Sequence, residues 1–214
     1  MISRRLFMIG MPLALAACTT TGRGRTESPA LDPRYVSMYA AVRDEPFPIP
    51  GVDLRRVDPR WWRQEVSYEG GHAPGTIVVD TPAHHLYYVQ SGGTAIRYGV
   101  GVGKDEALQF KGNATIGRKA VWPTWTPTAN MIRREPDRYG PYAGGLPGGP
   151  TNPLGPRALY LYKGGRDTYF RLHGTVEPYT IGTNVSSGCI RLMNQDIIDL
   201  YGRVNTGTRV VVLS

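Results

Sequence analysis

The sequence predicts a mainly β domain with one substantial helix near its C-terminus. Glycine (27) and proline (18) are abundant and follow no repeat across the 214 residues, which favours many turns and short strands. From Gly75 onward, β-branched and aromatic runs recur between turn residues. Clear helical spacing of apolar residues occurs late, at Ile197, Leu200, Tyr201 and Val204. With 41% hydrophobic residues the chain can fill a core, and its length suits one domain plus an export segment.

The elements follow in order. Asp32-Pro33 has the chemistry to cap and start a short helix carrying Val36, Tyr39 and Val42. Residues 44–60 are rich in proline and charge and read as irregular, with Trp61 and Trp62 packing against the domain. Thr76–Asp80, Leu86–Gln90 and Ala95–Val102 read as strands, with Ser91-Gly92-Gly93 as a hairpin turn. Residues 123–157 hold eight prolines, so this long loop is expected to serve as a lid or groove wall. Ala158–Tyr162 and Thr168–His173 flank Lys163-Gly164-Gly165-Arg166, a second hairpin. Asn194 is placed to cap the late helix, with Asp196 in its first turn, and Thr208–Leu213 closes the chain as a strand.

Net charge is +8, and removing residues 1–17, which carry Arg4 and Arg5 and no acid, lowers it to +6. Such a surface favours anionic lipid or an anionic wall polymer. There is no basic run interleaved with aromatics and no zinc-finger spacing, so nucleic acid is not an expected partner. Met1–Cys18 reads as a signal peptide, because its apolar stretch from Leu6 to Ala17 is shorter than the roughly 20 residues that span a bilayer. Leu15-Ala16-Ala17-Cys18 resembles the lipobox of bacterial lipoproteins, and Ser3-Arg4-Arg5-Leu6-Phe7 resembles a twin-arginine export motif. These resemblances imply residues 1–17 as leader, lipidation at Cys18, and residues 18–73 as a lipidated tether with an irregular N-terminal segment. They imply a periplasmic location anchored to membrane, and Thr19 after the cysteine resembles outer-membrane sorting.

With Cys18 assigned to the address, Cys189 is the remaining cysteine. In an oxidising compartment an unpaired thiol is a candidate reactive group. In the strand ending at His173, alternation turns Phe170 and Leu172 to one face and Tyr169, Arg171 and His173 to the other, wetter one. Gly188 before Cys189 permits tight backbone geometry in which successive N–H groups aim at one point, as an oxyanion hole requires. A histidine close to a thiol lowers its pKa or takes its proton, and Arg191 has the charge to dock a carboxylate.

His173-Gly174-Thr175, Ile181-Gly182, Ser186-x-Gly188-Cys189-Ile190-Arg191-Leu192-x-Asn194 and Gly207-Thr208 together resemble the L,D-transpeptidase catalytic domain, also called YkuD. Asn152-Pro153-Leu154-Gly155 and Tyr98–Lys104 fit the same family, and the resemblance spans residues 74–214. It implies a β sandwich or pseudo-barrel with the cysteine in a groove, and no cofactor. It implies a Cys189 nucleophile, a His173 base oriented by the Gly174 carbonyl, and an oxyanion hole at the Gly188 and Cys189 N–H groups. Arg191, Ser187, Ser186 and Tyr169 would contact substrate, with Ser186 serving mainly as a local hydrogen bonder and Ser187 standing where many members carry histidine. The implied substrate is a peptidoglycan tetrapeptide stem, opened at its third residue with release of D-alanine. The acceptor would be an amine of another stem, of an envelope protein or of a D-amino acid. A hydrolase on the same scaffold and a non-catalytic wall-binding lipoprotein are the alternatives.

Other chemistries find less support. Gly99-x-Gly101-x-Gly103-Lys104 is followed by Asp105 and lacks phosphate-loop spacing. No Ser-x-x-Lys, HExxH or CxxC occurs, which argues against a serine penicillin-binding enzyme and against a metal site. His84 and His85 would face opposite ways on a strand, and Arg133, Arg134 and Arg138 read as a solvated face.

Overall fold

The computed structural model describes residues 31–105 and 109–213. The leader of residues 1–17, Cys18 and the tether up to residue 30 lie outside the described residues. Asp32 caps helix α1 (Pro33–Met38) by accepting the Arg34 N–H at 2.9 Å. Two 3₁₀ turns at residues 54–56 and 59–61 begin the same way, on Asp53 and Asp58.

The strands are β1 (Gln64–Ser67), β2 (Ile77–Asp80), β3 (His85–Val89), β4 (Thr94–Gly99), β5 (Val102–Gly103) and β6 (Gly112–Val121). After the long loop come β7 (Arg157–Lys163), β8 (Arg166–His173), β9 (Asn184–Ser186), β10 (Ile190–Arg191) and β11 (Arg209–Leu213). Nine form one mixed sheet in the order β1-β4-β3-β2-β11-β6-β7-β8-β10, and β5 pairs with β9 separately. Ile96 and Tyr98 of β4 share one apolar cluster with Leu172 of β8 and Ile190 of β10. Strands from distant parts of the sheet therefore curl around a single core, as the expected sandwich or pseudo-barrel requires.

Helix α4 (Asn194–Arg203) plugs that core with Ile197 and Leu200, both fully buried, against β7 and β8. Lys119 of β6 donates to the carbonyls of Tyr201 (2.7 Å) and Val204 (2.6 Å), which satisfies the helix end. The β7–β8 hairpin turns on Gly164 and Gly165 with φ of 57° and 76°, the pair of positive values that a two-residue turn demands.

The structure departs from the sequence expectations in several places. The strand expected over Ala95–Val102 stops at Gly99; Gly101 then bridges to Arg191, and Val102 joins β9. Gly99, the last residue of the strand, packs against Trp61 so closely that a Cβ there would lie 2.7 Å from the Trp61 Cβ. Asn194 is not the helix cap: Met193 holds that position without a side-chain bond, and Asn194 Oδ1 accepts the Thr175 N–H at 2.9 Å. His84 sits in a turn at φ 54° rather than on a strand, so both His84 and His85 reach the Trp61 ring, at 6.0 and 5.1 Å.

The 123–157 segment is more ordered than a plain loop, holding α2 (Ala129–Arg134), α3 (Pro136–Tyr139) and a Trp125–Leu146 bridge. Asn152, fully buried, donates to the carbonyls of Pro123, Leu146 and Pro147 at 2.9–3.0 Å and accepts the Leu154 N–H. One amide side chain thus replaces the backbone pairing that the prolines deny this segment. Arg133, Arg134 and Arg138 are exposed there.

Candidate active site

Two short features bring the expected residues together. β10 pairs in parallel with β8, matching Ile190 to Leu172 and Arg191 to His173. Ile190 and Leu172 are buried in the core, so alternation sends Cys189 and Arg191, with Arg171 and His173, to the opposite face. Gly188 turns the chain into this position at φ 128°, a value that favours glycine. The backbone there also packs tightly, since a Cβ on Gly103 would lie 3.1 Å from the Gly188 Cα.

His173 is buried at 5% exposure, not on a wet face as alternation alone suggested. Its Nδ1 lies 2.6 Å from the Gly174 carbonyl oxygen. A carbonyl only accepts, so Nδ1 carries the proton and Nε2 keeps a free lone pair. Burial, and then the charge of Arg191, push the imidazole down to about 3, so the ring is neutral at ordinary pH. Cys189 is a free, half-buried thiol whose Sγ stands 3.9 Å from the Tyr169 carbonyl oxygen. Burial raises its pKa, and Arg171, followed by Arg191, pulls the other way. The resting pair is therefore a neutral thiol and a neutral base.

The remaining candidates are placed as follows. Ser186, buried, donates its hydroxyl to the Cys189 carbonyl and accepts the Gly188 N–H at 3.1 Å. It braces the turn, and it also occupies the Gly188 N–H. Ser187 is exposed. Arg191 pairs with the exposed Glu177 at 2.9 Å, so any docked carboxylate would compete with that side chain. Tyr169 is 68% exposed, at φ 64°. Gly174 allows no side chain, because a Cβ would lie 2.3 Å from Asn194 Oδ1. Cys18 lies outside the described residues. Sequence reasoning missed Asn194 as the side chain packed against Gly174 and holding the Thr175 N–H, Asn152 as the anchor of the 123–157 segment, and Arg171 as a neighbour of the thiol.

An apolar cleft of about 310 Å3 is lined by Ile49, Val52, Trp122, Gly155, Thr175 and Asn194 among others. Neither Cys189 nor His173 lines it. Among the described residues, no three His, Cys, Asp or Glu side chains gather as a metal site, and no helix is long and apolar enough to cross a membrane.

A cysteine and a histidine on one face of a curled mixed sheet define the class, and comparison with known proteins supplies the family. The sequence model of the L,D-transpeptidase catalytic domain, YkuD, matches residues 74–212, and the chain belongs to that family. It is similar to the Probable L,D-transpeptidase YbiS of Escherichia coli (strain K12), with 39% identity over 138 residues. That match covers 63% of this chain and 43% of the relative. ErfK/SrfK of the same strain, also named a probable L,D-transpeptidase, is 37% identical over 139 residues, 64% of this chain and 43% of that protein. The chain thus spans less than half the length of these relatives. A crystal structure from Brucella melitensis, named a probable carnitine operon oxidoreductase, is 50% identical at a TM-score of 0.51. It aligns over 75% of this chain and 99% of its own.

Proposed function

We propose that this chain is a cysteine-dependent L,D-transpeptidase acting on peptidoglycan tetrapeptide stems. The observation that carries the reading is the shared face of Cys189 and His173, with the Gly174 carbonyl holding the Nδ1–H so that Nε2 is the base. The thiol proton passes to Nε2 as sulfur attacks the carbonyl carbon of the third stem residue. The C–N bond to D-alanine then breaks, and the imidazolium returns its proton to the leaving amine. A thioester remains on Cys189. An incoming amine attacks it, gives its proton to Nε2, and expels the sulfur, which recovers that proton.

The Cys189 N–H is the better oxyanion donor, because the Gly188 N–H must first release Ser186 Oγ. Arg191 would take a substrate carboxylate in exchange for Glu177, with Ser187 and the exposed Tyr169 forming the groove surface. Acceptors are another stem or an envelope protein. Lipidation at Cys18 would hold the domain in the periplasm, on the outer membrane. The name of the Brucella structure denotes redox chemistry. A neutral thiol on the same sheet face as an oriented neutral base suits acyl transfer instead.

The test is incubation of the purified protein with tetrapeptide muropeptides, with and without an amine acceptor, and mass analysis of the products. Cross-linked dimers or amine exchange, lost in Cys189→Ala and His173→Ala, are expected. Tripeptide alone would mean a hydrolase, and no acyl-enzyme at all would defeat the enzymatic reading.

A further inference from the structure

Strand β8 is irregular next to the thiol. Tyr160 pairs with Arg171 and Tyr162 with Asp167, so Thr168, Tyr169 and Phe170 all stand opposite Leu161. The bulge is built in: Thr168 Oγ1 donates to the Leu161 carbonyl at 2.7 Å, and Asp167 Oδ1 accepts the Tyr169 N–H at 2.8 Å. Its effect is to present the Tyr169 carbonyl oxygen to two donors, the Cys189 thiol at 3.9 Å and Arg171 Nη1. The guanidinium is fixed from other sides, 4.6 Å from the Tyr160 ring centre and 3.7 Å from Asp167 Oδ2.

We propose that Arg171 stabilises the Cys189 thiolate, with the Tyr169 carbonyl as the shared acceptor that keeps the two side chains together. This rests on Cys189 being the nucleophile. While the thiol is protonated, sulfur and guanidinium both donate to Tyr169. Once the proton leaves for His173 Nε2, the sulfur has nothing left to donate. It becomes an acceptor, and the guanidinium beside it has the N–H to offer. The charged groups facing the sulfur are Arg171 from β8, backed by Asp167, and Arg191 from β10, backed by Glu177. His173 adds no positive charge at rest. Of the two arginines, Arg171 weighs more heavily on the thiol.

The experiment is the pH dependence of iodoacetamide alkylation of the full chain, followed by mass on the Cys189 peptide, with no substrate present. Arg171→Gln is expected to move the alkylation midpoint up by about one pH unit, and Arg171→Lys by less, since it keeps the charge but loses the fork. Asp167→Asn, which relieves Arg171 of its carboxylate and keeps an acceptor for the Tyr169 N–H, is expected to lower it. An unmoved midpoint in a cooperatively melting Arg171→Gln protein overturns the proposal. Should that variant not fold, an unmoved or raised midpoint in Asp167→Asn overturns it. The expected shifts without muropeptide turnover would sink the transpeptidase reading and leave Arg171 in its role.

Discussion

Gly155 and Gly174 meet backbone to backbone, for a Cβ on Gly155 would lie 2.9 Å from the Gly174 Cα. The contact sits directly behind the carbonyl that orients His173, and Gly155 holds φ 64° to make it. Asn194 Oδ1 closes the third side, 2.5 Å from that same Cβ position. Gly155→Ala is therefore expected to cost about 2–4 kcal/mol in denaturant unfolding and to depress acylation with it. Gly202→Ala, in α4 with nothing within 4 Å, is expected to gain up to about 1 kcal/mol in the same measurement.

Asp196 predicts an unusual pH dependence. It is fully buried in the first turn of α4, takes the Tyr39 hydroxyl at 3.1 Å, and lies 3.9 Å from Arg63 Nε. Burial raises its pKa from 3.8 to about 7. Between those values the folded state binds more protons than the unfolded one, so this group's contribution falls as pH rises from about 4 to about 7. Asp196→Asn should then be more stable than the native chain at pH 8, by a few kcal/mol at most, and should lose that advantage near pH 4. Chemical melts at the two pH values decide it.

Glu45 works in the opposite sense. Its carboxylate pairs with Arg157 and accepts the Trp122 indole N–H at 2.9 Å, and the Arg157 hydrogen bond holds its pKa below the ordinary value. Its contribution is present above about 4.5 and is lost as pH falls through the lower folded value. Glu45→Gln should cost about 1–3 kcal/mol at pH 7 and converge on the native chain in strong acid.

The acid limb of the reaction should be displaced. With the imidazole pushed down to about 3, His173 stays a competent base well below its usual range. Addition of a carbapenem to Cys189, followed by intact mass, is expected to persist from pH 7 to pH 5 and to vanish in Cys189→Ala. A decline centred near 6.5 would show that the free enzyme's ring is solvated.

The parts legible in the sequence were those set by local chemistry. The Gly164-Gly165 turn, the buried β-branched strands and the apolar face of α4 each follow from residue type and period. The lone thiol and the histidine at a strand end were legible for the same reason. β6 was not, because Asn113, Gly117, Arg118 and Lys119 interrupt its pattern and Ala114 and Ile116 are its buried residues. Gly117 is there for a tertiary reason, since a Cβ would lie 2.2 Å from the Tyr162 ring. Asn194 has the side chain of a cap but serves Thr175, nineteen residues upstream and outside the helix. Strands β9 and β10, three and two residues long, are too short to leave a period. The nearness of Arg171 to the sulfur depends on a bulge that spacing alone does not announce.

The segment preceding the family match covers part of the domain's apolar surface. Tyr39, Leu54, Val57 and Trp62 cover Ile181 and Met193, while Tyr39 and Arg63 serve the carboxylates of Asp196 and Asp199. A chain trimmed to start at Gly75 would expose that greasy patch and strand two acids beneath it. Anyone dissecting this protein for crystallisation or inhibitor screening should cut before Leu31, not at the edge of the catalytic motif.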